Sequence, residues 1–209
     1  MSERLDLFPT PVMKAIWPMA GELGPALLQA INQKRHEDGG VARSNIGGWQ
    51  SNGDMAIWGG QAAITLASFA TEIAGQHTTD IHPAGKRTFN WSVEMWANIN
   101  PTGAAHQVHC HPGSLWTAIY FADTGGTETE DIGGELILED PRYPMAYTTV
   151  PDLLTKLADG TPNNPQIVIK PEANLLVVFP SWLRHSIAQN RGNRPSIAIA
   201  MNLMVELAK

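Results

Sequence analysis

The hydrophobic pattern changes period once along the chain. In the first eighty residues, apolar positions recur at helical spacing in two places. From Pro25 to about His36, Leu27, Leu28 and Ile31 share one helix face, with Pro25 in the first turn and Gly39-Gly40 as a stop. Between about 61 and 74, Ala62, Leu66, Phe69 and Ile73 recur at steps of four, three and four, and Gly75 follows as a C-cap. Residues 1–20 read as an extended lead-in, because Phe8-Pro9-Thr10-Pro11 disfavours helix before Val12. Residues 39–60 are rich in Gly, Ser and Asn. They read as a long ordered loop, since Trp49 and Trp58 would be costly to leave in water.

After His82-Pro83 the period falls to two. Phe89, Trp91, Val93, Met95, Ala97 and Ile99 alternate with polar neighbours, which predicts a strand of about ten residues. Further short apolar segments lie near 107–111, 115–122, 135–139, 166–170, 174–179, 185–189 and 195–206, separated by Gly, Pro, Asn or Asp. Residues 151–158 suggest a short helix before Asp159-Gly160. Many short strands behind packing helices predict an α+β chain with an all-β, two-sheet jelly-roll core. The expected organisation is one domain over 1–209, with 1–80 a helical and loop elaboration packed on a core of 86–209.

Composition narrows the class. Of 209 residues 43% are apolar and only 16% charged, as in a globular chain. Twenty acidic against 14 basic residues give a net charge of −6 and no basic run, so no nucleic-acid partner is expected. A single cysteine excludes an internal disulfide framework and fits a reducing compartment. The first residues lack the apolar core of a signal peptide, and no apolar run is long enough to span a bilayer. A soluble, cytoplasmic protein without membrane contact is expected; whether it forms a homodimer is left open.

The candidate chemistry centres on His109-Cys110-His111. In an extended chain alternate side chains share a face, so the two imidazoles converge while Cys110 points away, as a buried structural thiol. Two imidazoles so placed are half of a metal site. His36, His77 and His82 lie near a helix end or in a turn and read as solvated. His106 has the wrong parity for a regular strand and reads as loop or as support for the ligands. His185 differs: it follows the apolar Leu175–Phe179 run and opens another strand, making it the third candidate ligand. Arg194 and Ser196 are two apart on the last strand. A planar guanidinium with a hydroxyl beside it suits the tail of a dicarboxylate. Most tryptophans read as core; Trp96 and Trp182, close to predicted ligands, are candidates for lining a substrate cavity.

Together these residues resemble the iron(II)- and 2-oxoglutarate-dependent dioxygenases. The order is His109-x-His111, an Ile-Tyr120-Phe strand, Gly133-Gly134-Glu135, then His185 and Arg194-x-Ser196. The pattern is most similar to the prolyl-hydroxylase-like branch. Within it, one oxygenase group also carries Gly-Gly-Trp-Gln-Ser (here 47–51), Asp-Pro-Arg (140–142) and Phe-Pro-Ser (179–181). The resemblance implies a double-stranded β-helix with iron(II) on His109 and His185 and the distal carboxylate of 2-oxoglutarate on Arg194, Ser196 and Tyr120. It also implies hydroxylation of a substrate, a small molecule or a side chain, with release of succinate and CO2. Asn98, on the strand entering the site, would face cosubstrate or substrate.

One departure stands out. Where most of the superfamily has an aspartate as second ligand, this chain has His111. Three neutral imidazoles leave the centre one unit more positive and suit other divalent metals, nickel, copper and zinc among them. Asp123 or Glu135 is close enough in sequence to supply an oxygen ligand. Two rival readings share the fold. A cupin-like metalloprotein would match Gly103-(x)5-His109-x-His111 and Pro180-(x)4-His185, but lacks its glutamate at Leu115 or Trp116 and has no use for Arg194-x-Ser196. A non-catalytic binding module is the other. Residues 123–133, with Thr127-Glu-Thr-Glu-Asp131, read as a polar loop at the site mouth, a candidate lid.

Overall fold

A computed structural model of the chain describes residues 4–85, 87–126, 131–142, 149–150 and 152–207. In chain order its elements are β1 (Met13–Ile16), α1 (Ala20–Glu37), β2 (Asn45–Ile46), β3 (Trp49–Gln50), α2 (Met55–Trp58) and α3 (Gly60–Gln76). They continue as β4 (Phe89–Asn100), β5 (Ala105–His109), β6 (Trp116–Asp123), β7 (Leu136–Glu139), β8 (Gln166–Ile169), β9 (Leu175–Pro180), β10 (His185–Ile187) and β11 (Ser196–Leu207). The strands form two antiparallel sheets. The larger runs β1-β9-β6-β11-β4-β3 and the smaller β2-β5-β10-β7-β8.

The larger sheet is buried on both faces, which is why β9 reads Leu-Leu-Val-Val-Phe without alternation. One face carries Met95, Ala97, Ala118, Tyr120, Ile199, Met201 and Leu203 against α1 and α3, through Leu27, Ile31, Leu66 and Ala70. The other carries Trp96, Ile119, Phe121, Val177, Phe179 and Ala200 toward the smaller sheet and its Leu136 and Leu138. Each fully buried leucine or isoleucine contributes roughly 1.5–3 kcal/mol from desolvation, so both layers are held firmly to the same sheet. The space between the sheets is the jelly-roll interior.

Several expectations change. Helix α1 begins five residues before Pro25, because the chain turns at Trp17, whose carbonyl accepts from Ala20 N at 3.2 Å, and Trp17 itself is buried against Tyr120. Helix α3 runs through Gly75 to Gln76, and His77 takes the C-cap position. The first eighty residues are more than helix and loop: the lead-in pairs as β1 along β9, and the Gly/Ser/Asn-rich stretch supplies β2, β3 and α2. The short helix expected over 151–158 is not formed in its described part, 152–158, where Lys156 bridges to Pro162 instead. No helix among the described residues is long and apolar enough to cross a membrane.

Candidate metal centre

The inner face of the jelly roll is built in cross-strand layers. In register across β4 and β11 stand Asn100 with Ser196, Asn98 with Ala198, Trp96 with Ala200 and Glu94 with Asn202. On β6, Phe121, Ile119 and Thr117 continue the last three layers. The opposite wall comes from β5 and β10, where His109 pairs with His185. With His111 they form the one group of candidate metal ligands among the described residues, all three ligand atoms lying within 4.8 Å of one another. Ring centroids are 4.4 Å apart for His109 and His185, 4.9 Å for His109 and His111, and 5.2 Å for His111 and His185.

Each histidine is aimed by a local feature. His109 Nδ1 donates to the Gln107 carbonyl at 2.7 Å and His185 Nδ1 to the Leu183 carbonyl at 3.0 Å. A carbonyl only accepts, so Nδ1 carries the proton and Nε2 presents its lone pair to the shared space, the usual arrangement for a metal-binding imidazole. His111 lies beyond the end of β5; its backbone N–H donates to the Ser181 carbonyl at 2.9 Å. Ser181 in turn donates its hydroxyl to the Ser114 carbonyl and its N–H to Leu115, so Phe179-Pro180-Ser181 clamps the loop that carries His111. Burial pushes His185 down to about 3 and His111 to about 4, and holds His109 below the ordinary imidazole value. All three are therefore neutral at pH 7, as a metal ligand must be. The donor set, three oriented neutral imidazoles in one cavity, fits a divalent metal. It contains no carboxylate: Asp123 pairs with Arg194 and Glu135 with Arg191.

The cavity beside the trio is lined by Trp96, Asn98, Asn100, His106, Phe121, Asp123, Ser196, Ala198 and Ala200 among others. Ala198 and Ala200 leave room there that larger side chains would fill. Asn98 lines this space and is buried, its Oδ1 without a hydrogen-bond partner. A second, more open cleft of about 370 Å³ lies on the other side of His109, His111 and Trp96.

Four residues are placed differently from expectation. Tyr120 does not reach the cavity: alternation along β6 turns Ile119 and Phe121 inward and Tyr120 to the helical face. There it packs edge-on to Trp17 at 5.5 Å and donates to Asn174 Oδ1 at 3.0 Å. Trp182 is 51% exposed, because the turn between β9 and β10 sends Leu183 inward in its place. Cys110 is exposed rather than buried, since the chain leaves the sheet after His109. Arg194 precedes β11 rather than sharing its face with Ser196, and its guanidinium bonds Asp123 at 3.1 and 3.4 Å at the cavity edge.

His106 is where simple alternation fails. A β-bulge sets four positions of β5 (106–109) against three of β10 (185–187), His185 opposite His109 but Ile187 opposite His106. The bulge restores His106 to the inner face, where it is buried, bonds Asn100 Oδ1 through Nε2 at 3.1 Å, and lies 3.5 Å from Ser44 Oγ. Ser44 Oγ is also 3.5 Å from His109 Nε2. Sequence reasoning passed over Ser44 and Asn100, neither of which carries a local signal. Gly133 permits the Gly-Gly-Glu turn: at φ 68°, a Cβ there would stand 2.0 Å from the Gln189 carbonyl oxygen. Asp140-Pro141-Arg142 is a surface ion pair at 2.6 Å, away from the histidines. Residues 127–130 of the expected lid lie outside the described residues.

A family model described as "Putative 2OG-Fe(II) oxygenase" matches residues 94–202, more than half of the chain. Among solved structures, the chain is similar to a Trichoplax adhaerens prolyl hydroxylase in complex with a hypoxia inducible factor oxygen degradation domain peptide fragment. That match has a TM-score of 0.63 and 15% identity, covering 92% of this chain and 83% of the other. A prolyl-4-hydroxylase from Pseudomonas putida matches with a TM-score of 0.54 and 16% identity over 92% of this chain and 91% of that one. The non-heme alpha ketoglutarate dependent carbocyclase SnoK from nogalamycin biosynthesis matches at 0.61 and 12% identity, over 93% and 79%. At these identities the structures attest the fold, a jelly roll. No curated protein sequence matches the chain.

Proposed function

The chain belongs to the 2OG-Fe(II) oxygenase family, an oxidoreductase using iron(II) and 2-oxoglutarate, and from that premise we propose that it hydroxylates a substrate at iron held by His109, His111 and His185. The observation that carries this reading is the convergence of three neutral imidazoles, two with Nε2 freed by a backbone-bound Nδ1, on one wall of the jelly-roll interior. When bound, iron(II) and 2-oxoglutarate supply oxygen activation, with one oxygen atom going to the substrate and the cosubstrate leaving as succinate and CO2.

The protein's own residues do the rest. The three imidazoles would hold the metal at the wall of the cavity. Ser196 and Asn98 offer hydrogen bonds to the cosubstrate, and Arg194 its guanidinium once released from Asp123. Ala198 and Ala200 make room, while Ile119, Phe121 and Ile187 keep the cavity dry. Carbonyl oxygens of Gln107 and Leu183 hold two of the rings in orientation and fix their tautomer.

Anaerobic titration with iron(II) and then 2-oxoglutarate tests this. A weak visible charge-transfer band should appear, and Arg194→Ala should weaken its 2-oxoglutarate dependence without removing metal. If 2-oxoglutarate has no effect on the metal spectrum, the oxygenase reading fails. Succinate release without added substrate separates an enzyme from a binding module.

A further inference from the structure

The outer cleft contains a carboxylate, Glu94, that forms no ion pair among the described residues. Glu94 is the inward residue of the last β4–β11 layer, half-buried, and its Oε2 accepts from Asn202 Nδ2 at 3.0 Å. Asn202, 8% exposed, spends its donor on Glu94 and leaves its own Oδ1 buried without a partner. Asn202 thus fixes the Glu94 carboxylate at the border of this cleft, alongside Gln50, which is 5% exposed. A half-buried carboxylate costs free energy until a donor or cation reaches it.

The backbone leaves room for the carboxylate there. Gly53 lies directly beneath it: a Cβ at that position would stand 2.6 Å from both Glu94 Cγ and Oε1. Gly53 is fixed in turn by its carbonyl, which accepts from Met95 N at 3.0 Å. Trp96 forms the wall between this cleft and the inner cavity, its ring 5.5 Å from that of His111. A carboxylate beside an indole suits an organic cation, through charge on one side and the ring face on the other. The cleft also has Arg43, but at its exposed edge, where water screens it.

We propose that the outer cleft is the substrate subsite and that it takes a protonated amine or guanidinium group, received by Glu94 with its carbon chain along Trp96 toward the histidines. This rests on the oxygenase reading, since only a metal at the three histidines gives the cleft a reaction to serve.

The test uses the protein loaded anaerobically with iron(II) and 2-oxoglutarate, titrated separately with n-butylammonium, n-butyramide and n-butyrate, following the visible band. Absence of the band would end the oxygenase reading; with the band present, the probes judge this inference alone. The ammonium should perturb the band and bind at least ~10-fold more tightly than the amide or the carboxylate. Glu94→Gln should bring ammonium and amide to within about twofold of each other while the 2-oxoglutarate band still forms. Gly53→Ala, which presses the carboxylate aside, should weaken the ammonium alone. A preference for butyrate would assign the cleft to Arg43 and overturn the proposal. Equal binding of all three probes, no response to the ammonium, or an unchanged preference in Glu94→Gln would overturn it too.

Discussion

Replacing Asp123 by Asn probes how the cosubstrate is admitted. Arg194 gives both terminal nitrogens to Asp123, at 3.1 and 3.4 Å, and the same guanidinium is the group proposed to hold the distal carboxylate. Binding 2-oxoglutarate therefore exchanges one carboxylate for another, and the lost pair is subtracted from the affinity. Its size follows from exposure: the Arg194 side chain is 57% and the Asp123 side chain 29% accessible. An ion pair that wet is worth ~0.2–1 kcal/mol. Asp123→Asn should thus tighten 2-oxoglutarate binding modestly, by up to roughly fivefold. Arg194→Ala removes charge-assisted hydrogen bonds worth ~1.5–3 kcal/mol, and should weaken binding by roughly 10- to 150-fold. Anaerobic titration of the iron(II) protein measures both, and metal content measured alongside confirms that the histidines are still loaded. Weaker binding by Asp123→Asn would refute the competition, and would mean that Asp123 holds Arg194 in position for the cosubstrate. Unchanged binding by Arg194→Ala would remove Arg194 from the site altogether.

Tyr120→Phe separates the two faces of β6: it should cost ~1 kcal/mol of stability from the lost bond to Asn174, read by urea unfolding, and leave 2-oxoglutarate affinity unchanged. Ala198→Leu fills the inner cavity; the band should be lost while iron remains bound, and a normal band would show that the cosubstrate lies elsewhere. The metal-free protein should also lose stability as pH falls from about 6.5 toward 4. Burial pushes the His106 imidazole down to about 4, so over that window the unfolded chain takes up a proton that the folded one refuses. For a fall from 6.5 to about 4 the contribution is ~3 kcal/mol, present above the window and gone below it. His106→Asn should flatten the unfolding free energy against pH by about that amount, and an unchanged slope would refute the assignment.

Local pattern alone determined much of this protein. A period of two over 89–99 placed Trp96 and Asn98 on one face, and apolar runs bounded by Gly, Pro and Asn located the later strands to within a residue or two. The histidines at 109, 111 and 185 are legible as candidate metal ligands by residue type and spacing, and they do come together; the carboxylate chemistry read from Arg194 and Ser196 stays a proposal. Tertiary structure decided the remainder. Alternation says which side chains share a face but not which layer that face meets, and the larger sheet is buried on both sides. Tyr120 was therefore as plausible toward the cavity as toward the helices until Trp17 packed on it. His106 joined the inner wall only through a bulge, which arises in the pairing of β5 with β10 and leaves no mark in β5 itself. His111 owes its position to Ser181, seventy residues later, and Arg194 its present partner to Asp123 on a neighbouring strand. The outer cleft joins Gln50 on β3 with Glu94 on β4 and Asn202 on β11. Its chemistry belongs to no single stretch, because cross-strand registry, a non-local property, is what brings those side chains together.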